Sequence, residues 1–80
     1  MTTQEQYLDL YRAAQVDDDA FQAQCVRQFG KTRAGTMRYR TDLHDVDTLA
    51  AGERYRATVE SMRGAARQID EERESRVGQA

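Results

Sequence analysis

A helical phase that nothing interrupts constrains this chain more than any other feature. Tyr7, Tyr11, Ala14, Asp18, Phe21, Cys25 and Gln28 follow one another at alternating steps of four and three. Those steps keep side chains on one helical face. Leu8, Leu10, Val26 and Phe29 flank the stripe, and the chain contains no proline to break it. Thr2 stands three residues before Glu5, the spacing of a capping box. Gly30 follows Phe29 and suits a left-handed helix end. The stripe therefore predicts a helix over about residues 3–29. Asp18 is a polar notch in it, inside the run Asp17-Asp18-Asp19. Asp17 could cap a second short helix instead. The phase is kept across the notch without Gly or Pro, which favours one helix.

A second stripe carries Thr48, Ala51, Tyr55, Val59, Met62, Ala66 and Ile69 at steps of four and three. Asp45 or Asp47 can cap its start. It predicts a helix over about 45–74, with a tail at 75–80. Gly52 and Gly64 lie inside it, each costing roughly 1 kcal/mol against alanine. Gly52 sits beside the stripe, where it permits close helix approach. Residues 30–44 have no clean period and read as a connector, with room for a helical turn near Ala34–Met37. The fold class is all-α: an antiparallel hairpin of two helices, each roughly 40 Å long at about 1.5 Å per residue. Counting outward from the connector pairs Cys25 with Leu49–Ala51, Phe21 with Tyr55, Ala14 with Met62 and Tyr7 with Ile69. Asp18 falls opposite Thr58 and Val59, with Arg54 and Arg56 in reach.

Such a hairpin is poor in heavy apolar side chains. Leu, Ile, Val and Phe number 12 of 80 residues, and a chain this small has a marginal core without a staple or a partner. Cys25 is the only cysteine, so no disulfide staples it. A second copy is the simplest remedy. A two-fold homodimer would form a four-helix bundle, with Tyr7, Tyr11, Phe21, Cys25, Tyr55, Val59, Met62 and Ile69 as core and dimer residues. A monomer closed by a short connector helix is the alternative. The first residues lack the basic start and apolar run of a secretory signal. No stretch approaches the roughly 20 apolar residues of a membrane span. A cytoplasmic, single-domain protein is expected, with no membrane contact.

Charge is laid out in blocks. Residues 1–19 carry a net −4, residues 20–41 a net +5, and residues 42–80 a net −3. The positive block falls on the connector. Arg27, Lys31, Arg33, Arg38 and Arg40 supply its charge, and Tyr39 adds a stacking surface between two arginines. Arginine binds carboxylates and phosphates in forked geometry and stacks on rings. These six residues are the candidate partner site, facing a protein with an acidic surface. Nucleic acid is the weaker alternative, given an isoelectric point near 5.3. A self-neutralised loop is another, since Asp42, Asp45 and Asp47 follow directly. No catalytic residue, metal or cofactor is assigned. His44 lacks a nucleophile at a recognisable spacing and reads as a capping or surface residue. One Cys and one His make no metal set, and the glycines match no phosphate loop. A non-enzymatic protein is expected.

The stretch from Phe21 through Arg27, Phe29, Gly30, Lys31, Ala34, Gly35 and Arg38 to Tyr39 resembles an F…R-x-[FY]-G-K…A-G-x-x-R-Y core. That core belongs to small hypothetical proteins of tailed bacteriophages and prophages. The resemblance covers about a quarter of the chain, and the second helix matches only in character. It implies a phage origin and a bacterial host cytoplasm. It also implies the habit of small phage accessory proteins, which bind and modulate or inhibit a host protein. It assigns no activity.

Overall fold

The structure, a computed structural model, describes residues 2–78. Helix α1 spans Thr3–Phe29, α2 spans Ala34–Met37, a 3₁₀ turn spans Thr41–Leu43, and α3 spans Val46–Gly78. The described residues are helical, without strands, so the chain is all-α. α1 runs unbroken through Asp17-Asp18-Asp19, with no second start at Asp17. The Thr2 hydroxyl accepts the Glu5 backbone N–H at 3.1 Å, the forward half of the expected box. At the other end Gly30 has φ +86° and ψ 160°. This is the extended positive-φ region and not the left-handed helical one anticipated. A residue with a β-carbon would be strained there by on the order of 1–3 kcal/mol.

The connector is more ordered than its lack of period suggests. Its turn falls at Ala34–Met37, and Ala34 and Met37 are buried. α3 starts after Asp45, not Asp47: the Asp45 carboxylate accepts the Thr48 backbone N–H at 2.9 Å. The predicted tail is corrected as well, because α3 continues to Gly78. The polar run after Asp70 keeps good helix formers and meets nothing that stops a helix. Gln79 and Ala80 lie outside the described residues.

α1 and α3 pack side by side, with contacts that descend along α3 as they rise along α1. Arg27 meets Thr48, Phe21 meets Tyr55, Asp17 meets Thr58, and Thr3 meets Glu72. The polar notch is satisfied differently from the sequence expectation. Asp17, not Asp18, accepts the Thr58 hydroxyl at 2.6 Å. Asp18 takes Arg38 from beyond α2, and not Arg54 or Arg56. The molecule measures 55 × 21 × 20 Å, with a radius of gyration of 16.5 Å. A compact chain of this length would have about 12 Å.

The core gathers at the connector end. Phe21, Cys25 and Ala34 form it, with Val26, Phe29, Ala51 and Tyr55 packed around them. Phe21 is 3% exposed and Cys25 fully buried. Tyr7, Tyr55, Val59, Met62 and Ile69 are half-buried, and Tyr11 is exposed. Gly52 is where the helices come closest: a β-carbon there would meet the Phe21 ring at 3.0 and 3.1 Å. Gly64, on the same helix, has nothing within 4 Å of that position.

The two helical glycines should therefore respond oppositely to alanine. Gly64→Ala should stabilise the fold by about 0.5–1 kcal/mol through backbone entropy, raising the midpoint of thermal unfolding. Gly52→Ala should lower it, because crowding the ring costs about 1–3 kcal/mol. Equal midpoints for the two variants would contradict the close approach at Phe21.

Candidate functional site

Gly30 turns the chain out of α1, and α2 then folds it back against that helix. All six candidate residues consequently lie at one end of the molecule. The structure divides them into two groups.

Arg38, Arg27 and Arg40 are paired within the chain. Arg38 follows α2 and points inward, its side chain 17% exposed. Its Nη2 donates to Asp18 at 2.5 Å and its Nη1 to Gln22 at 3.0 Å. The guanidinium lies 4.9 Å from the Phe21 ring centre and 5.6 Å from that of Tyr55, within cation–π range. Burial opposes its charge. The hydrogen bond and negative charge of Asp18 outweigh that opposition and hold its pKa above the usual arginine value. Arg27 binds the Asp45 carboxylate at 2.7 and 2.9 Å and Gln24 at 2.7 Å, and reaches Thr48 at 3.3 Å. Arg40 holds Asp42 through two bonds at 2.9 and 3.1 Å. These three arginines pin the connector to α1, cap α3 and brace the 3₁₀ turn.

Lys31, Arg33 and Tyr39 form the second group, and all are exposed. None of the described ion pairs involves Lys31 or Arg33. Arg33 makes only a 3.8 Å contact from Nη2 to the Met37 sulfur. Tyr39 is 79% exposed, and its ring centre lies 6.0 Å from the Arg38 guanidinium. Leu43 and Val46 are exposed large apolar residues of the same end.

His44 caps the 3₁₀ turn through its backbone N–H, which donates to the Thr41 carbonyl at 3.3 Å, but its side chain is not on the surface. Its ring is half-buried against Phe21, at 5.7 Å between centres, and Phe29, at 6.0 Å. Its Nε2–H donates to the Met37 carbonyl at 2.9 Å, since a carbonyl oxygen can only accept. Nδ1 is buried without a partner. Sequence reasoning missed this role because Met37 and Phe29 reach His44 only after two turns of the connector. Gln28 was missed too. It ties the connector at both faces of its amide, donating to the Leu43 carbonyl at 2.7 Å and accepting the Asp45 N–H at 3.0 Å. Burial pushes the Cys25 thiol above its usual pKa, with the nearby Arg38 charge pulling the other way. A buried neutral thiol of this kind is a packing group.

Among the described residues, no three His, Cys, Asp or Glu side chains group as a metal site would require. No helix is long and apolar enough to cross a membrane. No family model matches the chain, and neither a curated protein nor a solved structure matches it. What the chain does must therefore be argued from its own surface.

The ion pairs give the fold an acid limb. The Thr48 backbone N–H, then the Arg27 guanidinium, lower the Asp45 carboxyl from 3.8 to about 2. Arg40 lowers Asp42 in the same direction. A carboxylate with a depressed folded pKa stabilises the fold above its unfolded value and loses that contribution as pH falls through the folded one. The unfolding midpoint should thus drop between about pH 4 and pH 2. Asp45→Asn keeps a helix cap but loses the charge, so its midpoint should start lower at neutral pH and fall less. An acid slope as steep as the parent's would rule out the Asp45 assignment.

Proposed function

We propose that this is a small non-enzymatic accessory protein that binds and modulates another protein through its connector end. Lys31, Arg33 and Tyr39 make the contact. The observation that supports this is the pairing of an exposed aromatic side chain with two unneutralised cations on an internally braced end. Tyr and Arg are the residue types most enriched where interfaces concentrate binding energy. Cations at a rim steer association with acidic surfaces. Arg27, Arg38 and Arg40 act as the frame of this surface. The likeness of residues 21–39 to small phage proteins makes the partner a host protein in the bacterial cytoplasm. Nucleic acid fits less well, since internal carboxylates already neutralise three of the five basic side chains.

Capture of host proteins from bacterial lysate tests the reading. The double variant Lys31→Glu/Arg33→Glu and the single variant Tyr39→Ala should each weaken capture about tenfold or more, with helical circular dichroism unchanged. Undiminished capture would sink it. Retardation of DNA or RNA that weakens steeply with salt would replace the protein partner with a nucleic acid.

A second reading rests on the opposite end. The antiparallel hairpin of α1 and α3 leaves Leu8 51% and Tyr11 46% exposed, one turn apart on α1. The connector covers only the Phe21 end. A second copy laid on this face would complete a homodimeric four-helix bundle and form an assembly module. Light scattering should then give twice 9.2 kDa, reverting to the monomer mass in Leu8→Glu/Tyr11→Glu. A 9.2 kDa particle at micromolar concentration would exclude the dimer.

A further inference from the structure

A cleft of about 250 Å³ opens on the seam between α1, α3 and the connector. Phe21, Tyr39 and Tyr55 supply aromatic walls, Thr41 a hydroxyl, and Arg38 and Arg56 two guanidinium groups. The two cations are not equivalent. Arg38 is held by Asp18 and Gln22 and lies over the Phe21 and Tyr55 rings. Its charge is neutralised where it sits. Arg56 is exposed, and none of the described ion pairs involves it. Its Nη1 reaches back over Gly52, 3.2 Å from where a β-carbon would stand. The Phe21 ring lies 3.0 Å from the same point, so Arg56 and Phe21 flank Gly52 at the edge of the cleft.

We infer that this cleft recognises an aromatic side chain of the partner protein with a carboxylate directly beside it. The aromatic group enters between Tyr39, Tyr55 and Phe21, and the carboxylate meets Arg56. The size fits one side chain and falls below the roughly 300–1,000 Å³ typical of small-molecule pockets. The charge fits as well. One unpaired guanidinium matches a carboxylate, whereas a phosphate dianion would call for a second. The stacked Phe21 and Tyr55 rings under Arg38 keep that side of the cleft in place, which limits the ordering entropy lost on binding. This inference rests on the protein-binding reading but uses a different cation from the Lys31 and Arg33 rim.

Titration of the ¹⁵N-labelled full chain with N-acetyl-Phe-Asp-amide tests it, with N-acetyl-Phe-Asn-amide and adenosine monophosphate as comparators. The acidic dipeptide should shift the amide signals of Gly52, Tyr55 and Arg56, with a dissociation constant in the millimolar range expected of so small a ligand. The amide version should bind about fivefold more weakly, the upper size of one solvent-exposed ion pair. Arg56→Gln should erase that difference while leaving the unfolding midpoint unchanged. Equal binding of the two dipeptides would overturn the inference. So would the absence of shifts up to about 10 mM, or preferential binding of the nucleotide. If the titration fails while Lys31→Glu/Arg33→Glu still weakens capture, the cleft falls and the rim stands. The reverse result removes the rim and keeps the cleft.

Discussion

The Arg38 guanidinium laid over the Phe21 ring holds this structure together at a place where α1, the connector and α3 meet. Phe21 comes from α1. Arg38 arrives from the end of α2, His44 from the segment before α3, and Tyr55 and Gly52 from α3 itself. A thin helix pair has few large side chains to bury, so one aromatic ring with four neighbours carries an outsized share of the packing. The cation does two things that a methyl group could not. It stacks on the rings, and it carries a hydrogen bond back to Asp18, which would otherwise interrupt the apolar stripe of α1. The notch in the stripe is therefore the anchor of the connector.

Much of the fold was legible because helices report themselves locally. The four-three phase of Tyr7 to Gln28, the Thr2–Glu5 spacing and the turn glycine at Gly30 are all short-range signals, and Thr3–Phe29 follows from them. The register of α1 against α3 follows from counting outward from the connector, and the Phe21–Tyr55 stack agrees with it. The connector left room for a turn at Ala34–Met37, but the burial of Ala34 and Met37 that fixes it showed only in the structure. What did not show was long-range. Arg38 and Asp18 are separated by 20 residues and Arg27 and Asp45 by 18. Sequence alone sees each as a charge and cannot tell which way it points. The same limit hid His44, whose partners become neighbours only after the chain has turned.

The basic block illustrates how net charge misleads. A run of +5 over residues 20–41 suggests an open cationic surface. Folding distributes it. Asp18, Asp45 and Asp42 each take one arginine, drawn respectively from the acidic block before it and the segment after it. Exposed pairs such as Arg40–Asp42 contribute little to stability, but they remove a charge from what an approaching molecule senses. The cations left over are fewer and more sharply placed.

The two ends of the molecule consequently differ in kind. The connector end is braced by ion pairs, a helix cap and the aromatic cluster around Phe21, so its surface is presented with little freedom left to lose. The far end has the flanks of two helices, apolar side chains left half-buried or exposed, and the Thr3–Glu72 hydrogen bond. Binding at a preorganised surface incurs a smaller entropic cost than binding at a loose one, so the proposed recognition site lies at the end better suited to it. A half-covered helix pair gains most from a neighbour where its own core is thinnest, and the proposed dimer would use that stretch, at Leu8 and Tyr11. On the proposed reading the two roles do not compete. Covering the far end would stiffen α1 and α3 along their length and hold the Phe21 cluster, and the cleft beside it, in register. Recognition at one end would then tighten with assembly at the other, through the rigidity of two helices that approach closely at Gly52.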